Sequence, residues 1–334
     1  MEFFEHKIKS VVKETSDAVS ILFENIRGFD FLPGQYITVE QEINGEQLRR
    51  SYSLSSIPGA DLRIGIKAVE KGLFSNYALG LKQGDLLKIS APEGRFVLNP
   101  NQVENKTYLG IAAGSGITPV LSMISAAVSN PSCEFHLIYG NKTPEQVMYK
   151  SVLEDLEKKH DNFTIHYAFS QNCGPGQHLG RIDDSYIQYC IKGLKFNQIF
   201  LCGPEQLIEN SENLFLGFGY QKEQIAFELF SSSTSEDVIT DDQVSITVIL
   251  DDETHEFTAP KGMNLLDAVL EQDLDAPYSC KGGVCSSCIA LITEGNAKME
   301  KNAILTDSEI EEGLTITCDA HATTDKICIN YDEA

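Results

Sequence analysis

Four cysteines in the last 55 residues constrain this chain more than any other feature: Cys280-Lys281-Gly282-Gly283-Val284-Cys285-Ser286-Ser287-Cys288, with Cys318 thirty residues further on. A gap of four residues, then of two, then a long excursion to a lone fourth cysteine is the plant-type spacing for a [2Fe–2S] cluster. Four thiolates must converge on a small object, and the loop between them must wrap it closely. Gly282 and Gly283 reach backbone conformations closed to other residues and can aim amide N–H groups at the sulfurs. Structural zinc usually takes two Cys-x-x-Cys pairs and fits this spacing poorly. A disulfide framework also fits poorly in a chain of 334 residues whose start, Met1-Glu2-Phe3-Phe4-Glu5-His6-Lys7, lacks the basic patch and apolar run of a signal peptide. Cys133, Cys173, Cys190, Cys202 and Cys328 are scattered, and most are expected to be small buried apolar residues.

The surroundings of the loop add to its spacing. Asp275-Ala276-Pro277-Tyr278-Ser279 precedes it, and Leu305-Thr306-Asp307 through Gly313-Leu314-Thr315-Ile316-Thr317-Cys318 leads to the last cysteine. In these segments residues 244–334 resemble plant-type ferredoxins. The resemblance implies an α+β domain of β-grasp form with Cys280, Cys285, Cys288 and Cys318 as ligands, and leaves Cys328 to packing.

The first hundred residues read differently. Short apolar runs (Val19–Phe23, Gln35–Val39, 62–66 and 86–89) are punctuated by Pro33-Gly34, Asn44-Gly45, Pro58-Gly59, Gln83-Gly84-Asp85 and Pro92-Glu93-Gly94. Even spacing with turn signals suggests an antiparallel β-barrel over residues 1–103. From Thr107 the rhythm changes. Apolar strands at 108–113, 135–140, 163–168 and 198–202 alternate with helical stretches, among them 119–129 and one ending at Lys159. That alternation predicts a parallel α/β domain over 104–230. The polar run from Ser231 to Asp237 has no apolar period, so 231–243 reads as a linker.

Arg50-Ser51-Tyr52-Ser53 falls on a barrel strand, with Gly72-Leu73-Phe74-Ser75 after it. Alternate residues of a strand face one way, so Arg50 and Tyr52 share a face. A cation for phosphate, an aromatic surface and a hydroxyl donor are what a flavin needs, although the tetrapeptide alone is also an ordinary strand end. Gly114-Ser115-Gly116-Ile117-Thr118-Pro119 follows the first parallel strand, where amide groups at a helix start favour an anion. It lacks the third glycine of the dinucleotide fingerprint. Cys202-Gly203-Pro204-Glu205 ends a later strand, and Glu228-Leu229-Phe230 closes the domain.

In this order the motifs resemble the ferredoxin–NADP reductase superfamily. The resemblance implies that Arg50 contacts flavin phosphate, Tyr52 and Ser53 meet the isoalloxazine, and Gly72 and Ser75 cradle the FAD pyrophosphate. It further implies that Gly114, Gly116, Thr118 and Pro119 form the nicotinamide-nucleotide loop, with Thr118 near the flavin. Cys202, Gly203 and Pro204 would then stand beside the hydride-transfer site, making Ser53, Thr118 and Cys202 the candidate catalytic residues. Phe230 would lie at the flavin ring or, alternatively, in the core. Tyr139-Gly140-Asn141-Lys142-Thr143-Pro144, Val147-Met148-Tyr149 and Gly180-Arg181-Ile182-Asp183 are similar to the reductase components of phenylacetyl-CoA epoxidases. NADPH-preferring relatives often carry Ser-Arg where this chain has Ser170-Gln171, so NADH and NADPH both stay open.

Together these readings imply an enzyme that takes hydride from NAD(P)H onto FAD and passes electrons through [2Fe–2S] to a protein acceptor. The acceptor would be an oxygenase component, or alternatively a desaturase or hybrid-cluster protein. A redox-responsive interaction protein without turnover is the reading from another class. Residues from 231 on carry 22 Asp+Glu against 5 Lys, whereas residues 1–230 carry 27 acidic against 21 basic residues. Such a field repels nucleic acid and anionic lipid, and serves either a partner with a basic docking patch or solubility alone. No apolar stretch is long enough to span a bilayer, and a cytoplasmic location is expected.

Overall fold

The computed structural model describes residues 1–24, 29–230, 242–300, 302 and 304–334. Most of the expected linker, 231–241, lies outside the described residues. Residues 3–230 form one compact unit, and the described residues from 242 on, with Met1 and Glu2, form another.

The first unit opens with six strands: β1 (Phe4–Lys13), β2 (Ala18–Phe23), β3 (Tyr36–Ile43), β4 (Glu46–Ser53), β5 (Arg63–Lys67) and β6 (Leu86–Ile89), with helix α1 (Leu73–Ala78) before the last. They pair antiparallel in the order β4-β3-β6-β1-β2-β5. A bridge between Leu54 and Ile64 ties the two edges, closing the sheet on itself. Inward positions such as Ile21, Ile37, Val39, Ile64, Ile66 and Ile89 fill the interior. Asn44 and Gly45, both at positive φ, make the tight turn from β3 to β4. β1 carries little strand signal because only Ile8 of its ten residues is buried and its pairing with β2 shifts between Ile8 and Ser10.

The same unit continues with β7 (Thr107–Ala113), α2 (Ile117–Ala127), β8 (Glu134–Asn141), α3 (Lys150–Lys159), β9 (Phe163–Phe169), β10 (His178–Leu179), α4 (Asp184–Ile191), β11 (Gln198–Cys202), α5 (Glu205–Gly217) and β12 (Ile225–Glu228). The sheet is parallel, in the order β10-β9-β8-β7-β11-β12. Succession runs outward from β7 to β10, then jumps back to β11 on β7's other side. The carboxyl ends of β7 and β11 therefore flank the switch point where open α/β sheets bind ligands. α2 starts at Ile117, two residues before the expected boundary. Pro119 fits in its first turn because an amide there has no intrahelical acceptor.

The second unit holds β13 (Gln243–Leu250), β14 (Glu253–Pro260), α6 (Leu265–Leu270), β15 (Ile289–Glu294), β16 (Ala297–Met299), α7 (Asp307–Glu311), β17 (Leu314–Ile316), β18 (Ala320–Ala322) and β19 (Lys326–Asn330). The main sheet runs β14-β13-β19-β15-β17, with β13 and β19 parallel; β16 and β18 pair separately. Leu265, Leu266, Ala268 and Val269 of α6 pack into one core with Ile246, Val248, Ile327 and Ile329 of the sheet. This is the α+β arrangement expected for the domain.

Candidate active site

Ser53 ends β4, Cys202 ends β11 and Glu228 ends β12, and all three side chains are buried. Cys202 and Glu228 are register partners of adjacent parallel strands. The Ser53 hydroxyl donates to Glu228 Oε2 at 3.1 Å across 175 residues of chain. The barrel strand thus meets the switch point of the parallel sheet through one hydrogen bond. Burial pushes the Glu228 carboxyl up to about 8, with the Ser53 bond pulling the other way. Burial also raises the Cys202 thiol, and the Glu228 charge adds to that. Glu228 is a site residue the sequence reading did not single out, since nothing in Phe227-Glu228-Leu229 says that the carboxylate points inward.

The Gly114–Gly116 turn leads straight into α2. A Cβ on Gly116 would lie 2.1 Å from the Cys202 carbonyl oxygen, so only glycine lets the loop pass the end of β11. Thr118 is 2% exposed, and its hydroxyl donates to the Ser115 carbonyl at 3.0 Å. The Tyr139 hydroxyl donates to the Gly114 carbonyl at 2.9 Å, securing the loop from β8. Gly203 and Pro204 follow Cys202, with Pro204 at the N-cap of α5.

On the barrel, Arg50 is exposed and its guanidinium donates to the Arg49 carbonyl at 2.6 Å. The Tyr52 ring lies 5.5 Å from that of Phe74, and burial raises its phenol. Gly72 caps α1, and the Ser75 hydroxyl holds this turn by accepting from the Val69 amide at 3.2 Å. Phe230 is 43% exposed, so it is not a core residue.

In the second unit the thiols link in a chain. Cys280 is held low by hydrogen bonds from the Cys285 and Cys318 thiols and from the Gly282 and Val284 amides, and Cys318 also bonds Cys288. The Gly282 amide donates to Cys280 Sγ at 3.3 Å and the Gly283 amide to Cys318 Sγ at 3.2 Å. Gly283 has φ +67°, which a side chain would strain. Among the described residues no three His, Cys, Asp or Glu side chains are arranged around a single ion. Four neighbouring thiols flanked by loop amides are a donor set that fits a two-iron cluster. Behind the ligands, the Tyr331 hydroxyl donates to Thr317 Oγ1 at 3.0 Å, which donates to the Cys288 carbonyl at 2.8 Å. This buried relay ties Cys288 to the residue preceding Cys318. Cys328 is a free thiol in β19, outside this chain of contacts.

Comparison with known proteins accords with this geometry. Residues 6–98 match the oxidoreductase FAD-binding domain, 111–213 the oxidoreductase NAD-binding domain and 248–323 the 2Fe-2S iron-sulfur cluster binding domain. The chain is 34% identical to one component of the 1,2-phenylacetyl-CoA epoxidase of Escherichia coli (strain K12), covering 97% of this chain and 96% of that protein. It is 32% identical to the ferredoxin reductase component of 3-ketosteroid-9-alpha-monooxygenase from Mycolicibacterium smegmatis (strain ATCC 700084 / mc(2)155), covering 98% and 97%. Among solved structures, phthalate dioxygenase reductase shares the fold over 98% of both chains, with a TM-score of 0.62 at 23% identity. No helix among the described residues is long and apolar enough to cross a membrane.

Proposed function

Since the chain belongs to the family of FAD-, NAD- and [2Fe–2S]-containing reductase components of multicomponent oxygenases, we propose that its acceptor is an oxygenase of the phenylacetyl-CoA epoxidase type. The observation that carries this choice is the near full-length similarity to the epoxidase component of Escherichia coli. Phenylacetate breakdown in the cytoplasm is the setting that follows from that similarity.

NAD(P)H would pass its hydride to FAD and leave as NAD(P)⁺, and FAD held here would supply the conversion from a two-electron donor to one-electron delivery. The chain's own residues prepare that transfer. Arg50 offers a cation to the flavin phosphates, Tyr52 a flat face, and Gly72 and Ser75 the turn at the pyrophosphate. Gly114, Gly116, Thr118 and Pro119, facing Cys202, Gly203 and Pro204, receive the nucleotide and orient it. Ser53 holds Glu228, which keeps its proton at neutral pH and so adds no charge beside the anionic nucleotide. Phe230, exposed at the end of the domain, is the aromatic residue offered to cover the ring. Cys280, Cys285, Cys288 and Cys318 hold the cluster, whose acidic domain docks on a basic patch of the oxygenase.

The test compares acceptors. The NAD(P)H-reduced protein is mixed with the oxygenase components of a phenylacetyl-CoA epoxidase and of a 3-ketosteroid 9α-monooxygenase. Faster cluster reoxidation with the epoxidase, slowed by added salt, is expected. Equal rates, or preference for the steroid enzyme, contradict the acceptor assignment and leave the reductase class untouched.

A further inference from the structure

Tyr149 occupies a position whose backbone favours glycine, yet it is one of the largest fully buried side chains. It is the N-cap of α3 at φ 57°, ψ 25°, a left-handed conformation that a bulky residue rarely adopts. A glycine would make the turn without strain, so the side chain is what the position retains. The ring packs in the core of the parallel sheet and its helices, and its edge meets the barrel at Ser55, Arg63 and Gly65.

Every polar group of Tyr149 that faces the barrel is engaged. Its amide donates to Glu14 Oε2 at 3.0 Å, and the other Glu14 oxygen accepts from Ser20 at 2.7 Å. This carboxylate also complements the positive end of α3. The Arg63 guanidinium stacks 5.0 Å from the ring centre. Ser55 Oγ lies 2.9 Å from the Tyr149 hydroxyl, donates to the Arg63 carbonyl at 3.1 Å and accepts from Arg63 Nε at 3.2 Å. The serine oxygen thus joins the Tyr149 hydroxyl to both the carbonyl and the guanidinium of Arg63. A Cβ on Gly65 would fall 2.4 Å from the Tyr149 oxygen and 2.7 Å from Thr118 Cγ2. Tyr149, Thr118 and the β5 backbone therefore meet at one point, and Ser55, which holds the tyrosine, lies two residues along the chain from Ser53.

We propose that Tyr149 is a positioning residue for hydride transfer: a rigid joint that fixes the nicotinamide loop at Thr118 against the flavin strand at Ser53–Ser55. The inference rests on the reading of this site as an NAD(P)H-to-flavin reductase. Tyr149 is fully buried beside Thr118 and Gly65, so its part is to set the approach of the two loops, and hydride transfer is steeply sensitive to such placement.

The test is stopped-flow reduction of the FAD-loaded full chain by NADH and NADPH, each protiated and 4-deuterated, for Tyr149→Phe, Ser55→Ala and the double variant. Two further readouts are the nicotinamide–flavin charge-transfer absorbance on mixing and the dissociation constant for NAD(P)⁺. Each single variant is expected to lower the limiting reduction rate about tenfold, raise the observed isotope effect and weaken the charge-transfer band. Nucleotide affinity should stay within about twofold, and the double variant should be no slower than Ser55→Ala alone, since Ser55→Ala already removes the bond that Tyr149→Phe breaks. Unchanged rates overturn the joint. So do multiplicative losses in the double variant, or rate losses matched by weaker nucleotide or FAD binding, which mark a purely structural role. An unmodified chain that neither nucleotide reduces overturns the reductase reading itself and the joint with it.

Discussion

Replacing Glu228 by glutamine removes a titration without changing shape, and its effect on stability has a definite sign. In the folded protein this carboxyl is raised from 4.5 to about 8, chiefly by burial. The unfolded chain releases the proton near 4.5, while the folded chain keeps it until about 8. Between those values the folded state binds more protons, so this group's contribution to stability falls as pH rises through that window and levels off above it. A shift of roughly 3.5 pH units at ~1.36 kcal/mol each gives on the order of 3–5 kcal/mol. Glutamine mimics the protonated form and still accepts from Ser53. Glu228→Gln should therefore match the parent near pH 4.5 and exceed its stability by several kcal/mol at about pH 9. The chain has no tryptophan, so unfolding of residues 3–230 is best followed by flavin fluorescence on release, in urea at fixed excess FAD. Only the difference between the two proteins counts, because it cancels the many surface carboxylates. A difference that stays flat from about pH 5 to 9 would refute the buried neutral carboxyl.

Three further outcomes follow from the geometry. Cys318→Ser should abolish the broad visible absorbance of the cluster and electron delivery to a one-electron protein acceptor, while NAD(P)H still bleaches the flavin; spectra and stopped-flow separate the two. Gly116→Ala places a Cβ where only 2.1 Å separates it from the Cys202 carbonyl oxygen, and should weaken nucleotide binding at least about tenfold by titration, as the loop must shift. Tyr331→Phe should cost the ferredoxin unit about 1 kcal/mol and Thr317→Ala about 1–3 kcal/mol, the latter leaving a buried tyrosine hydroxyl without its acceptor. Loss of cluster absorbance in urea reports both.

What the sequence makes legible here depends on the range of the interaction. The cysteine loop can be read because its ligands lie within nine residues and one further cysteine. The parallel sheet can be read because β7 and β11 are apolar runs buried almost throughout, with shorter apolar stretches in β8 and β9. β1 escapes such reading because one buried residue and a register shift leave no period to see. β10 has two residues and borrows its strand character from β9. Within the site, Ser53, Gly116 and Cys202 stand in recognisable local motifs, but Glu228 and Tyr149 act through partners 175 and 94 residues away. Their roles emerge only when the barrel strand and the parallel sheet are brought together. The 231–241 run lies outside the described residues, and domain limits at 103, 230 and 243 stand as proposals beside the matched ranges.

The most direct test of the electron path is the visible spectrum of the anaerobically purified protein before and after NADH, then NADPH. Flavin bands on a broad cluster background, bleached promptly by a nicotinamide and restored by an epoxidase-type oxygenase, are the predicted result. A colourless protein, or one whose flavin and cluster no nicotinamide reduces, would contradict it.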